Sequence, residues 1–212
     1  MIGTTGQINR GSLLGEVIYN LCLQDDIKNI VEIGSWNGMG STKCIYDAIS
    51  EKKSEYLVYS LESNEEFYNI CMENYKNLPE FSNFNVVLGT IISPDENMDP
   101  MFNFDENFFR QYSRDVQKSW YLEDCKNCKN TPNVLNIIPD KIDLLILDGG
   151  EFSGLSEYQK LKDRSKYFIL DDTNTIKNNE VARLMREDKG YQIIHDSNDR
   201  NGFLVSKKIN LL

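Results

Sequence analysis

The stretch Val31-Glu32-Ile33-Gly34-Ser35-Trp36-Asn37-Gly38-Met39-Gly40-Ser41-Thr42 decides how this chain is read. A short apolar run, Ile30 to Ile33, leads into it. A helical pattern of Cys44, Ile45, Ala48 and Ile49 follows it. It therefore reads as a strand tip, a glycine-rich turn and the start of a helix. Glycine has no Cβ, so such a turn lets backbone approach a ligand closely and aims the first helical N–H groups at it. Glu32 precedes the glycines, and a carboxylate there suits a cationic or hydroxyl-bearing ligand better than a pyrophosphate. The glycines at 34, 38 and 40 lack the G-x-G-x-x-G spacing of a nicotinamide-binding turn, and no G-x-x-x-x-G-K-[ST] loop is present.

Strand-like and helix-like segments alternate around this turn. Residues 12–23 have the spacing of an amphipathic helix with Ser12 as its N-cap. Strands are predicted over Asn29–Ile33, over Tyr56–Leu61 (ending at Glu62), over Phe84–Leu88 (ending at Gly89-Thr90) and over 142–148. Further strands are predicted over Lys166–Leu170 (ending at Asp171-Asp172), Gly190–Ile194 and Phe203–Ser206. Helices are predicted from Ser41, from Asn64 to about Pro79, over 154–161 and over 176–188. Asn198-Asp199-Arg200-Asn201-Gly202 reads as a hairpin turn. The fold class is α/β: a Rossmann-like, doubly wound, mostly parallel seven-stranded sheet with a C-terminal antiparallel hairpin. Residues 1–212 form one domain. Residues 91–140 interrupt the alternation and are too long for a plain loop. They are read as a helical lid or acceptor insert before strand four, with one or two helices between Asp105 and Leu122. Phe102, Phe104, Phe108 and Phe109 are assigned to its packing, Trp120 and Tyr121 to acceptor contact.

The 212 residues carry a formal net charge of −10 and a single histidine. Such acidity repels phosphate backbones and argues against nucleic acid as a partner. No apolar run reaches membrane-spanning length, and the N-terminus lacks a signal-peptide pattern, so a cytoplasmic location with no membrane partner is expected. The five cysteines are scattered, as in a reducing compartment. Cys125 and Cys128 have the spacing of half a zinc site, but no second Cys/His pair exists, and they are read as loop cysteines. The N-terminal helix is a surface on which a homodimer could form.

The run Glu32-Ile33-Gly34-Ser35-Trp36-Asn37-Gly38, Leu61-Glu62 at strand two, Leu147-Asp148-Gly149 at strand four and the terminal hairpin resemble the class I S-adenosylmethionine-dependent methyltransferases. The resemblance spans roughly residues 12–206. It implies S-adenosyl-L-methionine as cofactor. Glu32, Gly34 and Gly38 would serve its methionine part, with Ser35 and Ser41 of the same turn. Glu62, beside Ser63, would take the ribose hydroxyls, and Gly89 and Thr90 would lie by the adenine. Asp148 completes the cofactor-binding set. A sulfonium methyl is already activated, so the protein mainly aligns donor and acceptor and removes the acceptor's proton.

Asp148, Asp171 and Asp172 end neighbouring strands, and three converging carboxylates repel one another unless a cation lies between them. Oxygen ligands suit Mg2+, or Mn2+ or Ca2+. The arrangement looks like the metal-dependent O-methyltransferase branch, which includes catechol-type and macrolide-sugar enzymes. Catechol-type members carry a lysine shortly after the first acid, whereas Gly149-Gly150-Glu151-Phe152 follows here. The resemblance is closer to enzymes that methylate sugar hydroxyls, with Glu151 on the substrate side. The expected activity is therefore methyl transfer to a hydroxyl of a sugar or glycan, with Asp148 positioning and deprotonating it. His195, the only histidine, is a second candidate base. A phenolic or catechol-like acceptor is the nearest rival. A non-catalytic S-adenosylmethionine-binding module of a glycan-assembly complex is another. Asp172-Thr173 has a plainer reading as a helix N-cap.

Overall fold

The apolar runs become seven strands of a single sheet in the computed structural model, which describes residues 8–79, 82–97 and 113–209. The strands are β1 (Asn29–Ile33), β2 (Leu57–Glu62), β3 (Phe84–Leu88), β4 (Ile142–Leu147), β5 (Ser165–Asp171), β6 (Tyr191–Ser197) and β7 (Phe203–Lys208). Their order is β3-β2-β1-β4-β5-β7-β6. β1 to β5 are parallel, and β7 runs antiparallel to both β5 and β6. The expected doubly wound, mostly parallel sheet with a terminal hairpin is thus present. β7 lies inside β6, leaving β6 on the edge.

Among the described residues six α-helices accompany the sheet: α1 (Leu13–Cys22), α2 (Ser41–Glu51), α3 (Glu65–Tyr75), α4 (Arg114–Asn130), α5 (Gly154–Leu161) and α6 (Asn179–Glu187). Strand side chains alternate between the two faces, and both faces are covered. Ile30, Leu144, Ile146 and Ile169 face Leu14 and Ile18 of α1 and Ile45 and Ile49 of α2. Val31, Leu145, Leu147, Phe168 and Leu170 face Leu161 of α5 and Val181 and Met185 of α6. Burial on both sides explains the continuous apolar runs of β4 and β5. It also fixes their C-terminal tips, where polar residues begin. No helix among the described residues is long and apolar enough to cross a membrane.

Local signals account for the ends of several elements. The Ser12 hydroxyl accepts from Gly15 N at 3.1 Å and starts α1. The Asn64 amide oxygen accepts from Glu66 N and Phe67 N at 2.9 and 3.2 Å and starts α3. Two expectations change. The insert helix begins at Arg114, behind the N-cap Ser113, and runs to Asn130. It therefore carries Cys125 and Cys128, which are helical and not loop residues. Phe102, Phe104, Phe108 and Phe109 lie outside the described residues. The second change concerns α6, whose N-cap position is Asn178, without a side-chain capping bond. Asp172 is not its N-cap but sits in the preceding loop with a left-handed φ of 54°.

The tips of β1 and β4 press together. Gly34 has φ +95°, and a Cβ there would lie 2.2 Å from the Asp148 carbonyl oxygen. Gly38 has φ +79°, but its missing Cβ faces only the Cys71 thiol and the Tyr75 ring. Gly34→Ala is expected to cost about 2–4 kcal/mol, because both strain and a backbone clash oppose it. Gly38→Ala should cost less, since side chains can give way. Urea unfolding midpoints of the two variants check the order.

Candidate active site

The strand order reverses between β1 and β4, and in open α/β sheets this is where the C-terminal strand ends leave a crevice. A cleft of about 600 Å³ opens there. Its floor is the β1 turn. Gly34 N and Ser35 N both donate to the Leu61 carbonyl of β2, at 2.9 and 3.0 Å, and Asp148 N donates to the Ile33 carbonyl at 2.9 Å. The turn is thereby tied to both neighbouring strands. Trp36 adopts a left-handed φ of 48° and packs edge-on against Phe67, forming one wall. Gly40 precedes α2 without a side-chain cap, so the first N–H groups of that helix are left to water or a ligand at the cleft rim.

Two glutamates flank this floor and do different work. Glu62 lines the cleft. Its carboxylate accepts from Trp36 N at 2.6 Å and from Asn64 N at 2.8 Å. Each carboxylate oxygen has two lone pairs, so capacity remains for hydroxyl donors. Burial raises its pKa, against those backbone donors. Glu32 is fully buried and does not line the cleft. Its Oε2 accepts from the Thr42 hydroxyl at 2.8 Å and from the Ser60 hydroxyl. Glu32 therefore holds α2 and β2 to the β1 tip from beneath through Oε2, while its buried Oε1 has no hydrogen-bond partner.

The β4 and β5 tips bring Asp148, Asp171 and Asp172 together, with one oxygen from each within 4.8 Å of the others. A cation does lie among them, and it belongs to the chain. Lys177 Nζ stands 2.8 Å from Asp148 Oδ1 and 3.1 Å from Asp172 Oδ2. Arg200, from the hairpin turn, reaches Asp171 Oδ2 at 3.2 Å. Burial opposes a charge on Lys177, but Asp148 and Asp172 outweigh it and hold its pKa well above the ordinary lysine value. Asp171 is pushed up to about 7 by burial and by the neighbouring Asp148 and Asp172 charges. The donor chemistry is that of an Mg2+ or Ca2+ site, since all three groups offer oxygen. As arranged, however, two carboxylates are engaged by an ammonium and the third by a guanidinium. The set does not fit a divalent ion unless Lys177 leaves.

The roof is one face of α4: Trp120, Glu123, Asp124, Asn127 and Cys128 line the cleft. Their spacing is that of a single helix stripe. Cys128 Sγ lies 3.7 Å from the Thr90 hydroxyl at the β3 end, so the helix spans the cleft from the β4 side to the β3 side. Beneath it, Glu157 of α5 is buried, and burial with the nearby Asp124 charge pushes its carboxyl up to about 7. Burial and Glu151 similarly push Asp124 up to about 6.

Of the expected residues, the structure brings Gly34, Ser35, Ser41, Glu62, Ser63, Gly89, Thr90, Trp120, Asp148, Glu151 and Asp171 to the cleft. Gly38, Tyr121, Asp172 and His195 do not line it. Gly38 makes room for Cys71 and Tyr75 behind the turn. Tyr121 points to Phe152, ring edge to face at 5.6 Å. Asp172 acts on the cleft through Lys177. His195 is exposed on β6, with β7 and β5 between it and Asp148. That placement removes it as a base. The sequence reading missed Lys177 and Arg200, because both lie far along the chain from Asp148. It also missed Glu123, Asp124 and Asn127, although their i+3, i+4, i+7 spacing from Trp120 was available.

The sequence matches no protein-family model and no curated protein. Solved structures do resemble it. An O-methyltransferase from Bacillus cereus in complex with S-adenosylhomocysteine superposes with a TM-score of 0.60 at 14% identity, over 97% of this chain and 84% of that one. A Staphylococcus aureus protein assigned as caffeoyl-CoA O-methyltransferase gives 0.60 at 13% identity, over 93% and 84%. An rRNA methylase from Streptococcus thermophilus gives 0.54 at 13% identity, over 99% of each chain. At these identities the likeness is one of fold, and acceptors as different as these share it. The chain has the fold of the class I S-adenosylmethionine-dependent methyltransferases.

Proposed function

We propose that this protein transfers a methyl group from S-adenosylmethionine to a hydroxyl of a small polar acceptor, with a sugar or glycan as first choice. The observation that carries the reading is the Glu62 carboxylate. It is pinned by the backbone of the β1 turn and of the α3 start, and faces a cleft whose floor is that same turn. The site fits the donor in three respects. Glu62 has lone pairs left for the ribose hydroxyls. The Gly34-Ser35-Trp36 backbone lines the cleft beside Glu62. The uncapped start of α2 offers N–H groups to a carboxylate. The donor, when bound, supplies an activated methyl group.

The acceptor side supports a polyhydroxylated ligand. Trp120, Glu123, Asp124, Glu151 and Asp171 face the same space. Carboxylates accept hydrogen bonds from hydroxyls, and an indole face packs on the C–H side of a sugar ring. In the transfer, the acceptor oxygen bonds to the methyl carbon as the carbon–sulfur bond breaks. The hydroxyl proton leaves to a carboxylate of the Asp148–Asp171 pair. A phenolic acceptor is the second reading, favoured by the resemblance to the Staphylococcus aureus protein. The net acidity that argues against nucleic acid also argues against the acceptor class of the rRNA methylase.

Calorimetric titration with S-adenosylhomocysteine tests the donor site. Binding is expected, and Glu62→Ala should weaken it about 10- to 100-fold, the scale of hydrogen bonds to a charged group. Absence of binding by the wild-type protein removes the reading. A screen with methyl-labelled donor tests the acceptor. Label should enter sugars, and transfer confined to catechols would decide for the phenolic alternative.

A further inference from the structure

We infer that Lys177 is the resident cation of the Asp148–Asp171–Asp172 cluster, standing where a divalent ion would otherwise bind, and that this site works without metal. The inference deepens the proposed methyl transfer at the same cleft, but its first test reads metal binding alone.

The position of Lys177 is built into the backbone. The Asn178 amide donates to the Leu147 carbonyl at 2.9 Å and to the Asp171 carbonyl at 2.8 Å, tying the loop to the ends of both β4 and β5. Thr173 N and Asn174 N donate to Gly202 O and Asn201 O at 3.0 and 2.8 Å, tying the same loop to the hairpin turn. Gly154, which opens α5, presses on the Lys177 carbonyl so closely that a Cβ would come within 2.3 Å of it. The side chain is 8% exposed and lines the cleft. A lysine on a free surface loop would swing in water, whereas this one is delivered to the acids by a loop anchored on three sides.

The charge arrangement follows from that position. An ion bound by Asp148 and Asp172 would sit about 2.0–2.6 Å from their oxygens. Those oxygens already hold an ammonium at 2.8 and 3.1 Å, so ion and ammonium compete for one place. An ammonium has three N–H donors. Two serve Asp148 and Asp172, and the third is available to an oxygen in the cleft. Lys177 can therefore hold an acceptor oxygen next to the carboxylates as a metal would, while its own proton stays in place. This also accounts for the sequence after Asp148, where the glycines at 149 and 150 stand in place of a lysine. The ammonium arrives from the β5–α6 loop instead.

Mn2+ titration followed by electron paramagnetic resonance tests this. The wild-type protein should leave the free-ion signal undiminished, with no stoichiometric site. Lys177→Ala vacates the place between three carboxylates and should gain one Mn2+ site per chain, at least tenfold tighter than any in the wild type. Lys177→Met, similar in length but uncharged, replaces it if the alanine variant fails to fold. A stoichiometric wild-type site that Asp171→Asn abolishes would overturn the inference, as would a folded Lys177 variant that gains no site. Where methyl transfer is found, wild-type turnover should survive EDTA, and a loss of activity restored by Mg2+ counts equally against it. No transfer to any acceptor would instead count against the proposed function, with the Mn2+ result still deciding this point.

Discussion

The site depends on how closely two strand ends approach each other. Gly34 and the Asp148 carbonyl leave no space for a methyl group between them. Everything that faces the cleft is referred to that contact. The β1 turn can then donate to Leu61 of β2 and present Trp36 N to Glu62. Asp148 is set directly beside the turn, so a ligand seated on the turn also lies beside the acids of β4 and β5. Packing supplies the rigidity, because the two central strands are covered on both faces by apolar side chains in close contact.

Around that contact the molecule gathers carboxylates and leaves several of them without a cation. Glu62 takes backbone N–H donors, Asp148 and Asp172 take Lys177, and Asp171 takes Arg200. Glu157 and Asp124 remain under the α4 roof with raised pKa values of about 7 and 6. Buried acids without counter-charges cost stability. Their concentration at one cleft, and not over the rest of the interior, is what a site for cationic or hydroxyl-rich ligands requires.

The sheet was legible in the sequence because its physics is local. Runs such as Leu144 to Leu147 are short, apolar and bounded by polar residues, and both covered faces leave that mark. β1, β3 and α5 fall where the pattern put them, and Ser12 caps α1 as its type suggests. The strand-tip acids were legible for the same reason. What escaped the reading is tertiary. Nothing near Lys177 in sequence says that its loop folds back over β4 and β5, since Leu147, Asp148 and the hairpin residues Asn201 and Gly202 that hold the loop are distant along the chain. Glu32 was legible as acidic but not as buried, because its hydroxyl partners come from α2 and β2. That α4 runs on past Leu122 to Asn130 escaped the reading because this stretch is polar and its buried face is slight.

The surplus of negative charge in the cleft has a consequence for turnover on the proposed reading. A sulfonium carries a positive charge, and the thioether left after methyl loss carries none. The same walls that attract the sulfonium keep only their hold on the unchanged ammonium and hydroxyl groups of the product. Reaction would therefore weaken its own product complex, and spent donor could depart without a hinge or gate having to move.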